Sequence, residues 1–206
     1  MSASLYAAGL AVAAIGAAAR GVTVILAFVR TFLIRKQFST FRFGWIEAIV
    51  SLEPLLLLGV AYGLFRSIGH MPSPTPSHAI ACALGAGLVL AGWALVLWTF
   101  FSWPAIFAGH GVLKEHPLRT TGAYGVVRHP VYLGAVLIWL GLALAFVDAL
   151  TFGFAIVYVI PAYLLYIRSE ETMMLASFGE QYRDYQRRVP RLLPRILGTK
   201  EGAGSR

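Results

Sequence analysis

Long apolar stretches alternate with short polar connections along most of this chain. A stretch of about 20 apolar residues is long enough to cross a bilayer as a helix. The pattern therefore predicts an all-α fold, a polytopic membrane bundle of about five transmembrane helices. Their approximate limits are residues 5–34, 44–65, 79–101, 131–147 and 150–167.

The last two apolar stretches are short, and only a few residues around Asp148 separate them. A connection this short joins antiparallel neighbours, so we expect a short C-terminal helical hairpin. Beyond the hairpin, apolar and aromatic side chains recur every three or four residues, as one face of a helix does: Met174, Phe178, Tyr182, Tyr185 and Val189. We expect a cytosolic amphipathic helix over residues 169–189, ended by Pro190.

Composition supports a membrane protein. Hydrophobic residues make up 58% of the chain and charged residues 13%, whereas a soluble domain carries about 25% charged residues. A disordered chain is excluded too, because such chains are poor in apolar residues. The net charge of +8 comes from basic residues between and after the apolar stretches. Membrane lipid headgroups, rather than nucleic acid, are therefore the expected partners.

The basic residues also predict an orientation. Lys and Arg lie in the first and third connections and in the tail, whereas the other two connections carry almost none. By the positive-inside rule, the N-terminus is then outside and the C-terminus cytoplasmic. The short loops and compact length favour a bacterial inner membrane over the endoplasmic reticulum.

Charged residues inside the apolar stretches are costly in hydrocarbon and should face protein or water. At 1.5 Å per residue, Arg20 and Glu53 lie roughly 15 and 14 Å from the cytoplasmic ends of their helices. Because these helices are adjacent and antiparallel, we expect an Arg20–Glu53 ion pair. Glu47 lies about one turn from the cytoplasmic side and is a candidate for lining a cavity that opens there.

The densest polar segment lies between the third and fourth apolar stretches. Pro130 suits the first turn of a helix, which places Arg128 and His129 at the helix entrance, where free N–H groups suit an anion. Arg168 and Glu170 follow the fifth stretch and return to the same level. The sequence thus gathers acidic, basic and aromatic side chains around one cytoplasm-facing mouth, although an interfacial belt of Arg and Tyr has a similar composition.

A metal site is not expected. The three histidines of this region lack cysteine partners and the spacing of a helical ligand motif. They are His110, His116 and His129.

The order of residues in this region resembles the signature of the isoprenylcysteine carboxyl methyltransferase family, much of which related phospholipid methyltransferases share. The resemblance covers about residues 109–194 and has two halves. The first is His116, Leu118, Gly122, Tyr124, Arg128, His129, Pro130, Tyr132 and Gly134. The second is Glu170, Glu171, Phe178, Gly179, Glu180, Tyr182, Tyr185, Val189, Pro190, Arg191 and Pro194.

The resemblance implies an integral membrane enzyme that uses S-adenosylmethionine, in a cytosol-facing pocket beneath a C-terminal helix. Glu170 matches an acceptor-site position of the family. The family's acceptor-site arginine lies four residues earlier, where this chain has Tyr166, so Arg168 is the nearest candidate beside Glu170 for a catalytic role. The cofactor-binding positions that the resemblance implies are His116, Pro117, Leu118, Arg119, Tyr124, His129, Pro130, Val131 and Tyr132. We also expect Arg128 and Glu171 to bind the cofactor.

These expectations divide the chain into transmembrane helices one to three over residues 1–101, a cofactor-binding and catalytic core over 102–194, and a flexible tail over 195–206. The leading function is O-methylation of a prenylcysteine-like carboxylate on a lipophilic acceptor that enters from the bilayer. N-methylation of an aminolipid is the first alternative. An NADPH-dependent lipid reductase and a transporter or structural membrane protein remain open as further alternatives.

Overall fold

A computed structural model describes residues 3–41, 43–71, 73–103, 111–113 and 117–194. Within these residues the chain forms seven α-helices and one two-stranded sheet. The helices are α1 Ala3–Leu33, α2 Trp45–Ser67, α3 Pro76–Ser102, α4 Pro130–Phe146, α5 Ala149–Phe154, α6 Ile160–Phe178 and α7 Glu180–Arg188; the strands are β1 Phe38–Phe41 and β2 Gly111–Leu113.

The helical bundle confirms the predicted all-α membrane fold. In the described part of the chain, four helical stretches are long and apolar enough to cross a membrane: Ala3–Leu33, Trp45–His70, Pro76–Ser102 and Ala149–Phe178. The predicted fourth span, α4, has 17 residues, about 26 Å at 1.5 Å per residue, which is shorter than a hydrocarbon core of about 30 Å. The protein is thus an integral membrane protein with four long helices and one shorter apolar helix.

Small residues let α3 and α4 pack closely. A Cβ atom added at Gly92 of α3 would lie 2.6 Å from the carbonyl oxygen of Gly134 on α4. One added at Gly141 of α4 would lie 2.7 Å from the carbonyl oxygen of Gly85 on α3. This contact holds α4 against the middle of α3.

The predicted hairpin after α4 is confirmed. Val147 ends α4 in the left-handed conformation, with φ of 51°. The Asp148 side chain then accepts a hydrogen bond from the Thr151 amide at 3.4 Å and begins α5. A π-helical turn over residues 155–159 joins α5 to α6 in one continuous helical stretch.

The predicted limits of the amphipathic helix, residues 169–189, are wrong. Residues 169–178 are the end of α6, and only residues 180–188 form the separate helix α7. Gly179 makes the break, because its backbone φ of 53° and ψ of −125° are a conformation that residues other than glycine rarely adopt. The three-to-four-residue spacing of aromatic side chains continues across this break, so periodicity alone did not reveal it.

A small sheet lies at one end of the bundle and was not predicted. Strands β1 and β2 pair antiparallel, with Phe41 opposite Gly111, and the Ser39 hydroxyl donates to the Val112 carbonyl at 2.9 Å. Strands of three and four residues are too short to show a hydrophobic period. We call this the sheet end of the bundle; α1 ends there, α2 and α4 begin there, and α7 follows α6 there.

Candidate functional site

A cavity of about 380 Å³ extends between the membrane helices and the sheet end. Its inner part is lined by residues from the middle of the membrane helices, including Arg20, Glu53 and Tyr163. Its outer part is lined by α7 and by the segment before α4, including Tyr124 and Tyr182. One cavity therefore joins a polar mouth to the apolar interior of the bundle.

Most of the site residues expected from the sequence line this cavity. His116 lies outside the described residues. Arg168 has an exposed side chain and is not among the lining residues, and Glu171 is buried behind the cavity wall. The expected residues that do line it are Pro117, Leu118, Arg119, Tyr124, Arg128, His129, Pro130, Val131, Tyr132 and Glu170.

Glu171 is the centre of a buried ion-pair network. Its Oε1 accepts from Arg128 at 2.9 Å from Nε and 2.7 Å from NH2. Its Oε2 accepts from Arg191 NH2 at 2.7 Å, and the residue is only 4% exposed. The sequence placed Glu171 among cofactor ligands, whereas its carboxylate holds Arg128, Arg191 and His129.

The same network attaches the segment after α7 to the start of α4. Arg128 NH1 donates to the Val189 carbonyl at 2.5 Å. The Arg128 and His129 amides donate to the carbonyls of Pro190 and Arg191, at 2.9 and 3.1 Å. The end of α7 is thereby fixed over the outer part of the cavity.

His129 lies between two carboxylates. Its Nε2 is 3.2 Å from Glu171 Oε1, and its Nδ1 is 3.4 Å from Glu170 Oε2. Burial by itself lowers the pKa of His129, but the neighbouring carboxylates of Glu170 and Glu171 raise the pKa by more, to above its usual 6.5. The imidazolium form, with a proton on each nitrogen, matches carboxylates on both sides.

This arrangement predicts a pH-dependent stability. Because the pKa of His129 is raised in the folded protein, its stabilising effect is complete below the unfolded-state pKa of about 6.5 and is lost as pH rises through the higher folded-state pKa. We expect the unfolding temperature of the detergent-solubilised protein to fall as pH rises from about 6.5 through the folded-state pKa of His129, and His129→Gln to flatten the fall. The exposed His70 supplies the control variant His70→Gln. An equal fall in wild type and His129→Gln would contradict this assignment.

Tyrosines form the outer wall of the cavity. Tyr124 packs with Tyr182 and Tyr185 in one buried cluster, and the Tyr185 hydroxyl donates to the Tyr124 carbonyl at 2.7 Å. Burial raises the pKa of Tyr124, Tyr182 and Tyr185, so these phenols are neutral near pH 7. The sequence placed Tyr182 and Tyr185 on a helical face and in the family motif, but gave them no role in the site. Their three-residue spacing was the signal that they reach one surface together.

The predicted Arg20–Glu53 ion pair is wrong. Glu53 Oε1 accepts from Trp139 Nε1 of α4 at 2.6 Å. Arg20 is 3% exposed, and its Nε and NH1 atoms have no hydrogen-bond partner. The sequence placed the two residues at similar depth, but it could not show that a tryptophan donor on α4 reaches the carboxylate.

Glu47, the other acid of α2, is not among the cavity-lining residues. Its Oε2 accepts from the Gly44 amide at 2.8 Å, and its Oε1 accepts from the Ser169 hydroxyl at 3.2 Å. Glu47 therefore caps α2 and ties it to α6.

A row of aromatic rings connects the outer and inner parts of the cavity. The ring of Tyr132 stacks on His129, with centroids 5.7 Å apart. It lies 5.2 Å from the Tyr163 ring and 5.7 Å from the Tyr166 ring. Tyr166, which stands where the resembled family has arginine, thus lines the cavity beside Tyr132.

No metal centre is found among the residues that the structure describes, because no three or more His, Cys, Asp or Glu side chains gather there in a way that could hold an ion. The described site is instead a cavity with charged, aromatic and apolar walls.

The fold and the cavity define a class of polytopic membrane protein with a polar site that reaches into the bundle, and comparison with known proteins gives its family. The family model described as phospholipid methyltransferase matches residues 80–181. The chain is 32% identical to methanethiol S-methyltransferase 2 of Bradyrhizobium diazoefficiens over 143 residues, covering 63% of this chain and 54% of that protein. It is 36% identical to protein-S-isoprenylcysteine O-methyltransferase of Tribolium castaneum over 95 residues, covering 42% of this chain and 31% of that protein.

A longer match joins the chain to methanethiol S-methyltransferase of Crocosphaera subtropica, with 27% identity over 202 residues that cover 87% of this chain and 74% of that protein. The chain thus spans about half or less of the length of the first two relatives. Together these matches support a family of membrane methyltransferases of the isoprenylcysteine carboxyl methyltransferase type.

Proposed function

We propose that this protein transfers a methyl group from S-adenosylmethionine to a lipophilic acceptor, with O-methylation of a prenylcysteine-like carboxylate as the leading reaction. The observation that carries the proposal is the single cavity that joins the motif residues around His129 to the interior of the membrane bundle. Such a cavity suits a polar cofactor at one end and an apolar acceptor at the other. Its volume of about 380 Å³ lies in the usual range of small-molecule sites.

The residues present fit S-adenosylmethionine. When bound, it supplies a methyl group on a cationic sulfur. The faces of neutral Tyr124 and Tyr132 suit such a cation, and the amide groups at the start of α4, which follow His129, suit the carboxylate of the amino acid part. Homologous methyltransferases generally use this cofactor, which supports the assignment.

In this reaction the main task of the protein is to align the acceptor with the methyl group of the cofactor. A carboxylate acceptor is already ionised near pH 7, so no general base is required. A carboxylate oxygen forms the new bond to the methyl carbon, the carbon–sulfur bond breaks, and sulfur keeps the electron pair. The side chains around Tyr132 have to hold the two reactants in line and exclude water.

Two other acceptors have their own support. The family model's description favours an aminolipid, for which Glu170 would accept the proton of the amine. The long match to a relative named methanethiol S-methyltransferase favours a thiol. The chemical nature of the methylated product distinguishes all three.

The proposed orientation keeps the N-terminus outside and the sheet end in the cytoplasm, in a bacterial inner membrane. It places the polar mouth of the cavity where a soluble cofactor can enter. The excess of basic residues in the connections at this end supports that orientation.

The cofactor assignment predicts that Tyr124→Ala and His129→Ala each weaken S-adenosylmethionine binding by about tenfold, the size of one cation–π contact. Tyr124→Ala removes that contact directly, and His129→Ala removes the ring on which Tyr132 stacks. Equilibrium binding to the purified protein in detergent measures the effect. Tyr62→Ala is the control for the tyrosine, because Tyr62 is 67% exposed on α2. His70→Ala is the control for the histidine, because His70 is exposed. Unchanged affinity in both site variants would remove the cofactor assignment.

A further inference from the structure

The inner part of the cavity holds buried polar atoms without partners. Arg20 Nε and Nη1 make no hydrogen bond, and neither does the Tyr163 hydroxyl, although the Glu53 carboxylate is among its charged neighbours. Both residues are 3% exposed, and both line the cavity. A buried donor left unsatisfied costs about 1–3 kcal/mol, and more when it is charged. A protein that keeps such donors around one cavity is expected to satisfy them with a ligand.

The chemistry of these atoms restricts the ligand. A guanidinium only donates, and a neutral phenol can donate to an anion. Glu53, the acid that lines the same region, is engaged by Trp139. The ligand group must therefore accept several hydrogen bonds and carry negative charge, and a carboxylate matches the guanidinium fork with two oxygens.

We propose that Arg20 is the acceptor-binding residue, and that its guanidinium and the Tyr163 hydroxyl hold the carboxylate of a lipophilic acid. This inference rests on the proposed function. Tyr166 supplies no positive charge to this cavity, and Arg168 has an exposed side chain outside it. Arg20, from α1, supplies that charge instead.

The position of Arg20 suits an acceptor that arrives from the bilayer. It lies ten residues before Arg30, roughly 15 Å along α1. Val24 and Phe28, one and two turns further along the helix, line the same cavity and offer an apolar surface to a hydrocarbon chain. Burial also strengthens the attraction between guanidinium and carboxylate.

Glu53 sets the strength of this site. Its carboxylate lines the cavity with Arg20, so it balances the guanidinium when the cavity holds no acid and repels a bound acid. Glu53→Gln keeps an oxygen to accept from Trp139 while removing the charge. It is therefore expected to tighten the binding of an acid.

The test compares an acid with its uncharged counterpart. N-acetyl-S-farnesylcysteine and its carboxamide are titrated into the purified full-length protein in detergent, with S-adenosylhomocysteine present so that no methyl transfer occurs. We expect wild type to prefer the acid by about tenfold to a hundredfold, the usual size of charge-assisted hydrogen bonds. Arg20→Gln should abolish the preference, Arg20→Lys should keep part of it, and Glu53→Gln should increase it.

Arg30→Gln is the matched control, because it removes the same charge from an exposed position of the same helix. An acid preference that persists in Arg20→Gln would overturn the proposal. If Arg20→Gln does not fold, Glu53→Gln decides. A merely structural Glu53–Trp139 contact predicts lower stability with an unchanged acid preference, whereas the proposal predicts tighter acid binding.

Two further outcomes separate this proposal from the function on which it rests. Cofactor binding and methyl transfer by a wild type that shows no acid preference would overturn the role of Arg20 alone. A wild type that binds no S-adenosylmethionine would overturn the proposed function and this inference with it. If phosphatidic acid occupied the site at lower concentrations than the farnesylated acid, the proposed ligand group would be a phosphate and not a carboxylate.

Discussion

Glu171→Ala is expected to lower the free energy of unfolding by about 3–5 kcal/mol, the cost of removing one member of a buried charge network. Glu171 is the common partner of Arg128, His129 and Arg191. Its removal leaves Arg128 buried, with a side-chain exposure of 8%, and without its carboxylate. Denaturant unfolding of the detergent-solubilised protein measures the loss.

The same change should loosen the outer part of the cavity. Arg128 also holds the Val189 carbonyl, so a displaced guanidinium frees the segment after α7. We therefore expect weaker S-adenosylmethionine binding together with the lower stability. Asp184→Asn is the control, because the Asp184 side chain is 56% exposed on α7. A stability loss no larger than that of the control would contradict the central position of Glu171.

Glu170→Gln is expected to lower kcat by about a hundredfold, while S-adenosylmethionine affinity changes by less than about threefold, because a reactant misplaced by about 1 Å already costs that much in rate. Glu170 lines the cavity, and its Oε2 is buried without a hydrogen-bond partner, 3.4 Å from His129 Nδ1. Its carboxylate thus lies at the cavity beside His129, where it can fix the position of the reacting groups. Single-turnover methyl transfer and equilibrium binding, measured on the same preparation, separate the two effects.

The pH dependence of Glu170→Gln also reports on the acceptor. With an amine acceptor, Glu170 acts as the base, and its loss removes the acidic limb of the kcat profile. With a carboxylate acceptor, the profile keeps its shape at a lower rate. Glu180→Gln, at an exposed position of α7, is the matched control. Normal turnover by Glu170→Gln would remove Glu170 from the reacting centre.

The sequence predicted the membrane helices well, because their apolar length is a property of each segment alone. The hairpin at Asp148 was predictable for the same reason. The sheet and the break at Gly179 were not, since short strands and a single left-handed glycine leave the apolar pattern unchanged.

The candidate site was predictable in part. The motif around His129 gave the residues that line the outer cavity, but not the division of work between the two adjacent acids. Arg168 was expected beside Glu170, yet residues two apart on a helix point to different sides, whereas Tyr163, Tyr166 and Glu170 recur at spacings of three and four and share one face. That helical argument was available from the sequence.

The inner part of the cavity depends on contacts between distant segments. Arg20 belongs to α1, Glu53 to α2 and Trp139 to α4. The cavity therefore draws on the N-terminal helices as well as on residues 102–194, so the proposed catalytic core does not contain the whole site. Only the packing of these helices shows that Trp139 donates to the Glu53 carboxylate. Arg20 is then left facing the cavity.

The most direct measurement of the central claim is methyl transfer from labelled S-adenosylmethionine into the lipid extract of membranes that contain this protein, followed by mild base treatment. The account predicts label in the lipid extract that mild base releases as volatile methanol, because a methyl ester hydrolyses under these conditions. Label that resists base would replace the carboxylate acceptor with an amine or a thiol. No incorporation, together with no S-adenosylmethionine binding by the purified protein, would contradict the account as a whole.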